Sequence, residues 1–254
     1  MKKLLAIIFA ILLTGTLFAA GSGESYESGQ GYGRGSGAGG GRGRLADSAQ
    51  AGNYGEDRFS EDISVFIETI KPEELNAAEK AALLLLREEE KLARDVYLKL
   101  YELWNYPIFR NIGESEAQHM ESVGILLDRY NISDPVGEDD PGVFQSAELQ
   151  KLYGELIEQG SESFAAALTT GATIEDLDIA DLQAALEESD NQDIGIVFQN
   201  LMKGSRNHLR SFVSQLERLN LTYSPQYISQ EYFEQILLKN REMAFIETAE
   251  YSFF

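Results

Sequence analysis

Beyond residue 61 the apolar positions recur every three or four residues, the interval that gathers side chains on one face of an α-helix. Leu83, Leu86, Glu90, Ala93, Tyr97 and Leu100 make the first such stripe, broken by one carboxylate. Asn76 with Glu79 three residues later spells a capping box, so the spacing predicts a helix from there to about Trp104, stopped by Pro107. Glu116, His119, Val123, Leu126 and Tyr130 form a second stripe on a helix of about residues 112–130. Phe164, Leu168, Gly171, Glu175, Asp178 and Leu182 form a third over about 161–188, with a bend expected at Gly171. Leu201, Ser205, His208, Phe212 and Leu216 form a fourth over about 192–219. A shorter helix is expected over about 143–159, ending at Gly160, and a last one from near Ser229. The stretch Ile63–Ile70 reads either as a short strand or as a segment packed on the helices. A long polar connection, NISDPVGEDDPG, separates the first two long helices from the rest. This pattern predicts an all-α fold: an antiparallel four-helix bundle with a long crossover and additional short helices.

The start of the chain has a different character. Lys2 and Lys3 precede an apolar run, Leu4 to Leu13, and small residues follow at Ala19 and Ala20, which is the layout of a secretory signal over residues 1–20. Residues 21–60 are rich in Gly and Ser and bury too little apolar surface to offset the entropy of ordering, so they read as a flexible linker. Residues 61–240 then form the domain and 241–254 a tail. The expected localisation is exported, periplasmic or secreted, with no stable membrane span once the signal is removed.

Charge and residue usage narrow the chemistry. Asp and Glu number 42 against 21 Lys and Arg, a net charge of −21 that repels phosphate backbones and argues against a nucleic-acid partner. The chain has no Cys, so disulfides, thiolate metal sites and iron–sulfur clusters are excluded, and any metal must be held by imidazole, carboxylate or water. Only two His occur, and both fall on inward stripes. A lone His or a single Glu–x–x–His ordinarily packs in a core without a ligand. Here every long helix carries ligand-type or polar residues inside its apolar stripe, and a shared cation would offset the cost of burying several carboxylates at once. Glu90 lies on its stripe, whereas its neighbours Glu88 and Glu89 are expected in solvent.

These segments resemble a known family. EEEKLARDVY, SEAQHM, GATIEDLDIADL and GSRNHLRSF together resemble the ferritin-like di-iron superfamily of rubrerythrins and bacterioferritins, and more closely the ferritin-like domains called DUF2202, over about Glu73 to Leu238. The resemblance implies a metal set of Glu90, Glu116, His119, Glu175, Asp178 and His208. It departs from the superfamily at Ser205, where a Glu is expected three residues before His208, which leaves open whether one metal or two are held. The implied cofactor is iron, as a di-iron centre, with manganese and zinc as alternatives. The implied activity is oxidoreductase chemistry of peroxidase or ferroxidase type on oxygen, peroxide or iron, with Tyr97 as an electron donor or a packed core residue. The alternative is a non-catalytic bundle that sequesters metal or binds a partner. A dimer is compatible with either.

Overall fold

The computed structural model describes residues 59–249, with side chains from residue 63 onward. The expected signal segment, the linker up to residue 58 and the last five residues lie outside the described residues. Among the described residues there are seven helices and no strand: α1 (Phe59–Glu68), α2 (Ala77–Trp104), α3 (Pro107–Arg129), α4 (Ala147–Glu162), α5 (Phe164–Glu187), α6 (Gln192–Arg218) and α7 (Gln230–Leu238). The all-α expectation holds. None of these helices is long and apolar enough to cross a membrane.

Helix α2 pairs with α3 and α5 with α6. The two hairpins face each other through contacts of α2 with α5 and of α3 with α6, while α4 lies against α2 and α5 and α1 against α3. The four stripes read from sequence point into this core. Leu83, Ala93, Tyr97, Leu100, Val123, Leu126, Leu168, Leu182, Leu201 and Phe212 are all fully buried.

Local chemistry explains where the helices begin and end. The Asn76 side chain accepts from the N–H groups of Ala78 and Glu79, and Glu79 Oε2 accepts in return from the Asn76 N–H, completing the capping box. Helix α2 ends at Asn105, whose left-handed backbone (φ 48°) turns the chain. Pro107 therefore opens α3 instead of stopping α2, and α3 begins several residues before the expected Ile112. The first helical position needs no N–H, so a proline costs nothing there. The strand alternative for Ile63–Ile70 is replaced by helix: Ile63 and Ile67, four residues apart, are both buried on one face of α1. Helix α4 starts at its Ser146 cap, later than expected, and continues through Gly160, where a β-carbon would lie 2.6 Å from Leu100. Helix α5 likewise runs through Gly171 without a break, and the missing side chain there makes room for the Phe212 ring.

The crossover between α3 and α4 is fastened to one flank of α2. Arg87 pairs with Asp134, Arg94 with Asp139, and the fully buried Lys91 with Asp95 at 2.5 Å and with the Asp140 carbonyl at 2.8 Å. Glu88 Oε1 accepts from the N–H groups of Gln145 and Ser146, and Asp95 from that of Gly142. Buried charges are tolerated here because each meets an opposite charge or several backbone donors. The described part of the tail, up to residue 249, runs as a strap along α6. Asn200 bonds both the N–H and the carbonyl of Ile246, and Arg206 and Arg210 bind Glu242.

Glu79 ties the start of α2 to the α5–α6 turn. Besides its cap bond, its Oε1 accepts from Ser189 Oγ and from the N–H groups of Asp190 and Asn191, and its Oε2 from Asn191 Nδ2. Burial raises the carboxyl, but these donors together hold it below the ordinary value. Glu79→Ala should lower unfolding free energy by about 2–4 kcal/mol in urea denaturation, since it removes a cap and strands buried N–H groups. Because the folded carboxyl is more acidic than the unfolded one, the native chain's advantage over this variant should be full above the unfolded value near 4.5 and fade as pH falls below it.

Candidate metal centre

The register of the four long helices brings five of the six expected residues into two overlapping clusters. Glu90 comes from the middle of α2, Glu116 and His119 from adjacent positions on one face of α3, Glu175 from α5 and His208 from α6. His119 Nδ1 lies 2.6 Å from Glu116 Oε2 and 3.2 Å from Glu90 Oε2. His208 Nδ1 lies 2.8 Å from Glu116 Oε1 and 3.5 Å from Glu175 Oε2. The two imidazoles stack with centroids 5.6 Å apart. Glu90, Glu116 and His119 form one group able to hold a metal ion, and Glu116, Glu175 and His208 form another. In each, one ligand atom per residue lies within 4.8 Å of the others, and every member is buried. Glu116 belongs to both groups and turns one oxygen toward each imidazole.

Of these approaches, that between His119 Nδ1 and Glu90 Oε2 is a hydrogen bond; those onto Glu116 and Glu175 are short but not aligned as one. Both Glu116 oxygens, Glu175 Oε2, Asp178 Oδ2 and His208 Nδ1 are buried without a hydrogen-bond partner. Buried polar atoms are ordinarily paired, so so many orphans in one place require a reason. Carboxylate oxygens and imidazole nitrogens converging on shared space are the donor set that hard and borderline divalent cations take. The residues present therefore fit a metal ion.

Electrostatics without a cation are correspondingly strained. Burial pushes Glu90 up to about 7, although His119 opposes it. Burial and the neighbouring Glu116 push Glu175 to about 7. Burial also raises Glu116, but the charges of His208 and His119 outweigh it and hold this carboxyl far below the usual range. Burial lowers His119, yet Glu116 and Glu90 raise it to about 10; Glu116 and Glu175 raise His208 well above its ordinary value in the same way. Two imidazolium ions thus stand in for positive charge that a cation would bring.

Surrounding groups fix these side chains. The fully buried Tyr97 hydroxyl donates to Glu175 Oε1 at 2.5 Å and lies 3.2 Å from the Gly171 carbonyl, while its ring packs on Phe212. Ser115 Oγ is 3.1 Å from His208 Nε2. Gly204 leaves the space that His119 occupies, since a β-carbon there would lie 2.5 Å from His119 Nε2. Ser205 is buried and donates to the Leu201 carbonyl at 3.3 Å, the ordinary use of a helical serine. Asp178 is buried at the edge of the cluster, and burial together with Glu90, Glu175 and Glu116 raises it well above its ordinary value.

The expectation that Glu88 and Glu89 face solvent is wrong for both. Glu88 anchors the crossover, as described above. Glu89 is buried against Asp181 of α5. The reason is the covering of α2 on a second flank by the crossover and α4, which a stripe-based reading of one helix leaves in water. Asp181, Ser115 and Gly204 also escaped the sequence reading. Acids at 175, 178 and 181 recur at helical spacing, and a glycine four residues before His208 interrupts an otherwise regular helix; both were available signals.

Comparison with known proteins adds to this geometry. The family described as an uncharacterized protein domain, DUF2202, matches residues 79–240, which hold the whole centre. The chain is 50% identical over 177 residues to Uncharacterized protein MJ0754 of Methanocaldococcus jannaschii, covering 70% of this chain and 96% of that protein. The crystal structure of the hypothetical protein MJ0754 from Methanococcus jannaschii matches with a TM-score of 0.67 at 51% identity, covering 68% of this chain and 99% of that one.

Gly204→Ala should push the His119 ring aside and cut bound metal severalfold, with little loss of helix by circular dichroism. Metal content measured on protein purified without a His tag checks this. Asp178→Asn should lower bound metal more than Ser205→Ala, because the serine is already engaged by its own helix; metal content per chain checks that.

Proposed function

The chain belongs to the DUF2202 family, and from its buried centre we propose that it is a ferritin-like metal protein holding two cations, iron first among them, in a four-helix bundle of di-iron type. The observation that carries this reading is the position of Glu116 between the two imidazoles, one oxygen toward each, with Glu90 completing one group and Glu175 the other. A single carboxylate shared by two otherwise separate His–Glu sets is what two neighbouring cations need, since its charge offsets both.

Each residue has a definite task. Glu90 with His119 would hold one cation and Glu175 with His208 the other, with Glu116 bridging. Tyr97 holds Glu175 in place through its short hydrogen bond. The apolar packing around the centre excludes bulk water and strengthens every charge interaction within it. A bound pair of iron ions supplies electron exchange with oxygen, peroxide or further ferrous iron. The amino-terminal segment supports export as part of the same proposal.

Ser205 is the observation that favours a second reading, a bundle that sequesters metal without turnover, because a hydroxyl bound to its own helix brings no charge to the second position. The chain's lack of Cys fits either reading, since it provides no built-in thiolate electron-transfer site.

Anaerobic titration with ferrous iron, counting ions per chain, tests the proposal. The native chain should take up two, and Glu116→Gln should lose at least one and weaken the other by tenfold or more. Two-site binding in Glu116→Gln equal to that of the native chain would overturn it. Oxygen or peroxide consumption by the loaded protein then separates turnover from sequestration. Binding should also tighten as pH rises from 5 to 8. His119, raised to about 10, and His208, raised likewise, carry protons that a cation must displace, so proton release should accompany uptake.

A further inference from the structure

The tail meets α6 through its backbone at every second residue. The Glu242 carbonyl accepts from Asn207 Nδ2 at 2.9 Å, the Ala244 carbonyl from Lys203 Nζ at 3.0 Å, the Ile246 carbonyl from Asn200 Nδ2 at 2.9 Å and the Thr248 carbonyl from Gln199 Nε2 at 2.7 Å. The N–H groups of Glu242 and Ile246 donate in return to Asn207 Oδ1 and Asn200 Oδ1. Two tail side chains are gripped as well. The Glu242 carboxylate is bound by Arg206 and Arg210, and the Phe245 ring meets Phe66 of α1 edge-on with centroids 5.5 Å apart. Lys203, Arg206 and Arg210 thus place three cations on the strap side of one helix, in a chain whose net charge is −21.

The side chains that read the tail are held in place by α6 itself. Asn200 Nδ2 also donates to the Ile196 carbonyl at 2.9 Å, Lys203 Nζ to Asn200 Oδ1 at 3.0 Å and Arg210 Nη1 to Asn207 Oδ1 at 2.8 Å. A site arranged in advance binds at a lower entropic cost. The tail, by contrast, adds no buried side chain to the core: Gln199, Asn200, Lys203 and Arg206 are buried, but none of residues 237–249 is. Its departure would cost mainly hydrogen bonds that water can replace. The residues that match the family also stop at 240, where the strap begins. Recognition through main-chain groups accepts many sequences, and the few gripped side chains set the preference. We propose that this face of α6, with Phe66 beside it, is a docking site for an acidic peptide segment of a partner protein, and that the chain's own tail is the occupant which the partner displaces. The segment carries a carboxylate where Glu242 sits, matched to the two guanidinium groups, and an aromatic ring three residues later. The proposal stands apart from the metal reading, since none of these contacts involves Glu90, Glu116, His119, Glu175 or His208.

The test is a fluorescent peptide with the sequence of residues 242–249, titrated into the full-length chain and followed by anisotropy. The tethered tail competes at an effective concentration on the order of millimolar, so the native chain should bind this peptide weakly. Glu242→Lys in the chain sets a third cation beside Arg206 and Arg210, loosens the tail and should raise the peptide's affinity at least tenfold. The same substitution in the peptide should lower its affinity at least tenfold. Asn200→Leu added to the Glu242→Lys chain should abolish binding, since it removes both bonds to residue 246. Should Glu242→Lys fail to fold, Ile246→Pro loosens the tail instead by removing the N–H that Asn200 receives. Absence of saturable binding to a folded, loosened chain, equal affinity of native and loosened chains, or indifference to Glu242→Lys in the peptide overturns the proposal. Sedimentation separates the remaining occupant: a native dimer that Glu242→Lys dissolves would assign the site to the tail of a second copy and overturn the partner assignment, and an assembly state unchanged by Glu242→Lys supports it.

Discussion

Glu116 is a fully buried carboxylate set between two buried imidazoles, and the rest of the bundle is arranged around the need to keep that charge balanced. An ionised carboxylate without compensation is too costly to bury. Its partners come from other positions in the chain: His119 from its own helix, His208 from α6, with Glu90 and Glu175 behind them. Satisfying Glu116 therefore fixes the register of α3 against α2, α5 and α6 together. A slip of one residue in any of the four would withdraw a partner and leave a charge unpaired in the core. Small residues are part of the same constraint, since Gly204 and Gly171 give up their side chains so that His119 and Phe212 can come close.

Outside the centre, the remaining buried acids hold connections in place. Glu79 gathers the α5–α6 turn onto the start of α2. Asp176 accepts from the N–H groups of Gln226, Tyr227 and Ile228 and from the Tyr223 hydroxyl, fixing the segment between α6 and α7. Asp193 accepts from Arg129 and Tyr130, joining the start of α6 to the end of α3. A chain with so large an acidic excess thus uses several carboxylates as backbone anchors, where multiple N–H donors offset desolvation. Glu89 and Asp181 differ from these, because they face each other and burial raises both carboxyls above their ordinary values.

The helical layout and the inward faces were legible because each long helix has one dominant apolar stripe, and residues on such a stripe point the same way whatever the exact ends. Glu90 could be separated from its neighbours on that ground, and His119 and His208 could be expected together. Helix ends were less legible at Pro107 and Ser146. A proline reads equally as a stop or a start, and the crossover's polar residues hide their long-range partners on α2. Glu88, Glu89 and Asp181 were misjudged or missed for one reason: α2 and α5 are covered on more than one flank. Burial on the second flank depends on where α4 docks, which no local spacing encodes. Glu88 reads as a surface acid until the N–H groups of Gln145 and Ser146 are brought to it by a connection more than fifty residues later.

The central proposal is that Glu116 would serve two cations at once. The most direct measurement is anomalous diffraction from crystals loaded anaerobically with ferrous iron, recorded on both sides of the iron absorption edge. The account predicts two iron peaks flanking the Glu116 carboxylate, one beside His119 Nδ1 and the other beside His208 Nδ1. Iron found elsewhere, or a fully loaded crystal in which His119 and His208 keep their contacts to Glu116 with no anomalous density between them, would contradict it.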